Sequence, residues 1–387
     1  MDREAEKRFD AIFVGAGVIG LACAWRAAQR GAEVCLLERD RPAAGASGVA
    51  AGMLAPVGEA SWGEERMLEF NFASLRRWPG FAEQLETKSG LETGFAQPGA
   101  LHVALDRDEA EELRRRYELH RSLGLDSEWL RGRECRRIEP ALATAARGGA
   151  HVPGEATADP RKVIAALLAA LDARGVAVHS GAEVVAAERQ SGVWRVQTAE
   201  GRSFEGAELV LAAGCWSGQA QWLPVGAPPV RPVKGEILTL RGGTDDPVCT
   251  GIVAGERVYM VPRSDGRLIV GATVEEHGFD MRVTAGGVHE LLREAYRLVP
   301  EIAELELVEA AAGLRPGSPD NAPLIGSAEA EGLMIASGHF RNGVLQAPMT
   351  ADCIAALLAG EAPPVDLEPF SPRRFARRST DAPVEVA

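Results

Sequence analysis

Between Asp10 and Met53 the chain reads DAIFVGAGVIGLACAWRAAQRGAEVCLLERDRPAAGASGVAAGM, and few folds accommodate that order. The apolar run Ala11-Ile12-Phe13-Val14 predicts a buried parallel strand. Gly15-Ala16-Gly17-Val18-Ile19-Gly20 follows directly. Val18 to Arg30 then places apolar residues at helical spacing until Gly31, and a second apolar strand, Glu33 to Leu37, ends at Glu38. Gly15 permits a tight turn, Gly17 lets the backbone approach a pyrophosphate, and Gly20 lets helix and strand pack closely. The helix N-terminus offers unpaired N–H groups and a partial positive charge to phosphates. Glu38, about 20 residues on, suits the hydroxyls of an adenosine ribose and disfavours a 2′-phosphate. In a chain with 43 glycines a GxGxxG alone arises by chance; strand, glycines, helix, strand and acid together predict a dinucleotide-binding βαβ unit.

This motif leaves NAD and FAD open. The run of small residues from Arg41 to Met53 lets backbone lie against a large flat ligand, which favours FAD. GASGVAAGMLAPVGEA, Val258-Tyr-Met-Val-Pro-Arg263, Gly313-Leu-Arg-Pro-Gly-Ser-Pro-Asp320 and Gly338-His-Phe-Arg-Asn-Gly343 follow in the order expected of one family. Over roughly residues 9–370 the chain resembles the D-amino acid oxidase family of FAD-dependent oxidoreductases, most closely its glycine oxidase branch of thiamine biosynthesis. The resemblance implies an α/β fold: a Rossmann-like FAD-binding domain of glutathione reductase type, with a second, mainly antiparallel α+β substrate domain.

It also implies site residues. FAD, held non-covalently, would meet Gly15, Gly17, Val18, Ile19, Gly20, Glu38, Arg39, Ser47, Ala51, Gly52 and Met53. The backbone at Val184 would hold the adenine. Ala213, Gly214 and Trp216 would lie beside the cofactor, with Arg315 and the run His339, Arg341, Asn342, Gly343, Val344 and Leu345. Ser337-Gly338-His339-Phe340 lacks the cysteine that carries covalent flavin in monomeric sarcosine oxidases. The implied reaction is amine oxidation: hydride passes from an amino acid α-carbon to flavin N5, the imine hydrolyses or is passed to thiazole synthesis, and O2 becomes H2O2. Arg315 would bind the substrate carboxylate from a rigid loop, Tyr259 would add a second bond, Arg341 would close the substrate side, and Met53 would line it. Two positions depart from the glycine oxidase pattern. Val274 stands where a Met is usual and Arg257 where a His is usual, so the pocket is expected to be wider and more positive than one strict for glycine.

A chain of 387 residues predicts two domains. Their expected parts are 1–90, 146–225 and 311–370 for FAD, and 91–145 and 226–310 for substrate, with 371–387 a loose tail. Helices are expected at 106–123, 129–142, 159–174, 288–298 and 348–358; strands at 203–206 and 208–213; and a hairpin turn at Ser264-Asp-Gly-Arg267. Net charge of −13 argues against nucleic acid or an anionic membrane surface as partner. The six cysteines form no CxxC pair and no metal is expected; Cys23 and Cys35 read as core residues. The N-terminus lacks an apolar signal segment, so a cytoplasmic protein is expected. Its partners are then a small amino acid and O2, in a homo-oligomer as the resemblance implies. Alternative readings are a broader D-amino acid oxidase, a dehydrogenase using an acceptor other than O2, and a non-catalytic FAD-binding scaffold.

Overall fold

The computed structural model describes residues 8–60, 63 and 65–375. The chain starts in one sheet with β1 (Arg8–Val14), α1 (Val18–Gln29), β2 (Val34–Leu37) and the short β3 (Met53–Leu54). Helices α2 (Glu65–Leu75) and α3 (Trp78–Ser89) follow. The chain then builds part of a second sheet with β4 (Ala100–Ala104), α4 (Arg107–Ser122), β5 (Glu128–Arg131), α5 (Gly132–Ile138) and β6 (Gly148–Val152). It returns through β7 (Ala156–Thr157), α6 (Pro160–Asp172), β8 (Ala177–His179), β9 (Val184–Gln190), β10 (Val193–Thr198) and β11 (Ser203–Leu211). A second excursion adds β12 (Arg231–Arg241), β13 (Ile252–Ala254), β14 (Tyr259–Pro262), β15 (Arg267–Gly271), α7 (Ala285–Leu298) and β16 (Glu306–Gly317). β17 (Leu324–Ser327), β18 (Leu333–Ser337) and α8 (Gly343–Leu358) close the first sheet.

That first sheet runs β17-β18-β11-β1-β2-β8, with the β9–β10 hairpin paired onto β11. β1 is parallel to both β2 and β11, and β11 to β18. Apolar runs such as Ala11–Val14 can sit here because helices cover one face and the β9–β10 hairpin lies towards the other. On the helical side Trp25 of α1 is fully buried and meets Phe81 of α3 edge-on at 5.3 Å. On the other side Trp194 is fully buried and donates to the Gly332 carbonyl at 2.9 Å. Each such side chain contributes about 1.5–3 kcal/mol of burial. The second sheet runs β16-β12-β15-β14-β13-β4-β6-β5, antiparallel except where β13 lies parallel to β4. All six cysteines are buried and outside any disulfide. Among the described residues no helix is long and apolar enough to cross a membrane.

Local chemistry explains several boundaries. Asp106 caps α4 by accepting from Glu109 N, and Asp159 caps α6 by accepting from Arg161 N and Lys162 N. Gly266, at φ +82°, turns β14 into β15 as the hairpin signal predicts. Four expectations are corrected. The 129–142 stretch is not one helical piece: Trp129 and Leu130 pair with β6 as strand β5, and only α5 is helical. Residues 203–206 and 208–213 are not two strands but the single β11, because it is paired on both sides, to β10 and β1. Arg315 lies not in a loop but in β16, opposite Val233, despite the flanking glycines and prolines. The last helix begins at Gly343 rather than at Pro348; burial of most of its residues outweighs the one hydrogen bond that an internal proline removes.

Candidate functional site

A cavity of about 1010 Å³ opens where the parallel strands end. Four segments leave the carboxyl edges of β1, β2, β11 and β18 at this point, which is where open α/β sheets bind ligands. From β1 comes Gly15, whose φ of +105° and contact with the next strand exclude a side chain: a Cβ there would sit 2.5 Å from the Ala212 oxygen. Gly17 starts α1, with Val18 N donating to Ser47 Oγ at 3.0 Å. From β2 comes Glu38, whose Oε2 accepts from Ala16 N at 2.8 Å and whose Oε1 accepts from Asp40 N at 3.0 Å. From β11 come Ala213, Gly214 and Trp216. The Arg39 guanidinium stands 4.7 Å from the Trp216 ring centroid. Ile19, Ala51, Gly52 and Val184 also line the wall.

The other end of the cavity lies against the second sheet. Ile237, Gly271 and Tyr259 are directly opposed across β12, β15 and β14, and Gly235 opposes Gly313 across β12 and β16. Three glycines therefore leave this face bare, and two long polar side chains lean into the hollow. A Cβ on Gly235 would collide with the Arg315 guanidinium, and one on Gly271 would lie 2.6 Å from the Tyr259 hydroxyl. Glycine inside a strand has this meaning, a close approach by another group. Arg315 Nη1 donates to the carbonyls of Lys234 at 3.2 Å and Thr273 at 3.0 Å. Burial pushes the Tyr259 phenol above its ordinary range, against the pull of Arg315, whose guanidinium donates to its oxygen; the phenol stays protonated. Met53 and Val274 line the same end.

Arg341 follows in a short 3-10 turn, Phe340–Asn342. Its Nε stands 2.9 Å from Glu59 Oε2, and its Nη2 donates to the Glu59 carbonyl at 3.1 Å. Burial raises the Glu59 carboxyl, although Arg341 and Arg315 oppose the shift. His339 is 2% exposed, its Nε2 lies 3.0 Å from Thr350 Oγ1, and burial lowers it to about 3, so it is a neutral wall residue. Gly343 and Val344 bring the start of α8 to the cavity.

Three expected residues stand outside the lining. Gly20 packs α1 against the Gly15 carbonyl, Leu345 is buried in the first turn of α8, and the Asn342 side chain turns to Met67. Arg257 is a correction: it is exposed in the turn before β14 and does not line the cavity, because only Tyr259, two residues on, points to the glycine hollow. Sequence reasoning passed over Glu59 and Met281, both of which line the cavity. Glu59 carried a signal, as an acid at the end of an otherwise small-residue run. Among the described residues no cluster of His, Cys, Asp or Glu could hold a metal ion.

A parallel sheet with a glycine-turned crevice, facing a second sheet with a cation in a polar hollow, defines a dinucleotide-dependent enzyme. The model of the DAO family of FAD-dependent oxidoreductases matches residues 10–357, and the chain belongs to that family. It is 35% identical to the glycine oxidase of Geobacillus kaustophilus over 367 residues, covering 94% of this chain and 96% of that protein. It is 36% identical to the bifunctional protein ThiO/ThiG of Synechocystis sp., covering 97% of this chain but 55% of that longer protein. The crystal structure of glycine oxidase from Geobacillus kaustophilus superposes with a TM-score of 0.90 at 34% identity, covering 96% of this chain and all of the other. The cofactor is FAD, and the residues fit it. Small-molecule sites run to roughly 1,000 Å³, and this cavity of about 1010 Å³ stands at the upper end, as a ligand the size of a dinucleotide requires. The backbone of Gly15 and Gly17, with no Cβ between it and the crevice, is the surface a pyrophosphate requires.

Proposed function

We propose that this chain catalyses oxidative deamination of glycine, with sarcosine and small D-amino acids as further substrates. The amino acid, O2 and water give the oxo acid, the amine or ammonia, and H2O2; the imine formed first is either hydrolysed or used to build the thiazole of thiamine. One observation carries this reading: Arg315 and Tyr259 share a glycine-floored hollow inside the FAD cavity. Bound FAD, held without a covalent link, would supply the hydride acceptor. Arg315 offers the planar fork that a carboxylate accepts, and Tyr259 a second donor. With the carboxylate fixed there, the α-carbon is directed towards the crevice. Met53 and Val274 give an apolar wall, and Arg341, anchored by Glu59, borders it. The N-terminus of α8 brings positive potential to the cofactor end of the cavity. No side chain here is needed as a base, because the amine reacts in its neutral form. In this reading the parallel sheet serves FAD and the antiparallel sheet serves substrate.

The test is to purify the protein, record its visible spectrum, and follow H2O2 in air with glycine, sarcosine, D-alanine, D-proline and L-alanine. A flavin spectrum with peroxide from glycine or sarcosine supports the proposal. Flavin that bleaches anaerobically with amino acid but yields no peroxide in air makes the enzyme a dehydrogenase. Arg315→Ala should keep the yellow colour and raise the apparent KM about 100-fold, since a charged hydrogen-bond partner is lost. Loss of colour together with activity would make Arg315 structural.

A further inference from the structure

On the side of β12 facing away from the cavity lies a buried ionic network. Lys234 is 1% exposed and Glu236 is fully buried. Lys234 Nζ stands 2.7 Å from Glu236 Oε1 and 3.3 Å from Glu275 Oε2. Burial opposes the ammonium, but its hydrogen bonds to both carboxylates prevail and hold it above its ordinary range. The backbone is tied as well: Lys234 N donates to the Glu275 carbonyl at 2.9 Å, and Glu275 N returns a bond of 3.0 Å to the Lys234 carbonyl. Thr273 Oγ1 donates to Glu275 Oε1 at 2.6 Å and accepts from Glu236 N at 2.9 Å. Thr284, which caps α7, donates from both its N and its hydroxyl to Glu236 Oε1, at 3.0 and 3.1 Å.

The network touches the cavity through two atoms. The carbonyls that hold Arg315 Nη1 belong to Lys234 and Thr273. Its other connection is to a loop. Glu275 and Thr284 are the two ends of the stretch that carries Met281 to the cavity wall and sets the Phe279 ring 6.0 Å from Trp216. A buried ion pair adds little stability over an apolar pair of the same shape. What it does add is geometry, because fixed charges and hydroxyls leave few arrangements for the strands they join.

We propose that Lys234, with Glu236 and Glu275, is a positioning residue. It aims the Arg315 guanidinium at the substrate carboxylate and locks that aim to the stem of the 275–284 loop at the cavity mouth. The proposal rests on Arg315 as the carboxylate anchor. Lys234 touches neither substrate nor cofactor and acts only through backbone carbonyls.

The experiment uses FAD-loaded enzyme and two probes: acetate, titrated against the flavin absorption spectrum, and glycine, mixed anaerobically so that its Kd and the limiting rate of flavin reduction are read separately. Lys234→Met should weaken acetate and glycine binding about 10-fold or more, as small misplacements of a binding group do. FAD affinity should stay unchanged, and Lys234→Arg should recover most of the loss. Glu275→Gln and Thr273→Val, which alter the less buried part of the network, should show the same pattern more weakly, and they carry the test if Lys234→Met does not fold. Unchanged acetate and glycine Kd values in these variants, alongside a large loss in Arg315→Ala, would overturn the positioning role. If Arg315→Ala itself binds acetate and glycine as tightly as the parent, the carboxylate reading fails and the proposal falls with it.

Discussion

At the scale of the residue, Glu38 follows β2 and holds two backbone N–H groups, from Ala16 and Asp40, at the edge of the FAD crevice. Glu38→Ala should lower FAD affinity about 10-fold, by removing a charged acceptor from the crevice and leaving those two donors unsatisfied. Flavin released through an ultrafiltration membrane, measured by fluorescence, checks this; unchanged retention would remove Glu38 from the site. Glu38 was legible because its role depends on neighbours close in sequence: the glycines, the helix and β2. Glu59 was not. Its partner Arg341 lies 282 residues away, and nothing local marks the pairing.

At the scale of the element, α3 supports α8. Trp78, the first residue of α3, is fully buried and donates from Nε1 to the Leu345 carbonyl at 3.0 Å. That bond holds the first turn of α8, whose Gly343 and Val344 reach the cavity. Trp78→Phe keeps an aromatic ring but removes the indole N–H and its bond to the Leu345 carbonyl, which should cost about 0.5–1.5 kcal/mol. Urea unfolding of parent and variant checks it, with a midpoint shift at constant slope expected. A variant as stable as the parent would mean that the indole bond does not hold α8 in place. The strand bearing Arg315 illustrates the limit of reading an element locally. Gly313, Pro316 and Gly317 look like loop formers, yet β16 continues through them because β12 supplies a partner along its whole length.

At the scale of the whole molecule, pH acts through buried histidines. His120 is 1% exposed, and burial, with His102 and Arg116 nearby, lowers it to about 4. The unfolded chain, with an ordinary pKa near 6.5, therefore takes up protons that the folded chain refuses. Stability from this source is complete above about pH 6.5 and declines as pH falls towards about 4, by on the order of 2 kcal/mol at pH 5. His339, lowered to about 3, acts with the same sign. Thermal unfolding at pH 7.5 and pH 5 should show a marked drop in Tm for the parent and a smaller one for His120→Gln. Equal drops would show that His120 does not set the acid limb.

By itself the sequence determined the cofactor half. Ala11–Val14, the three glycines, α1 and β2 form one contiguous strand–turn–helix–strand unit, so periodicity and glycine placement suffice to specify it. It also marked Tyr259 and Arg315 by resemblance. Only the tertiary structure decided how those two meet. They sit on strands separated by β12 and β15, and they share a hollow because Gly235, Gly271 and Gly313 from three strands fall in register on one face. The same holds for Lys234, a charge in PVKGE that is buried against Glu236 and Glu275. Register between distant strands is set by the packing of the whole sheet, and no short stretch of the chain contains it.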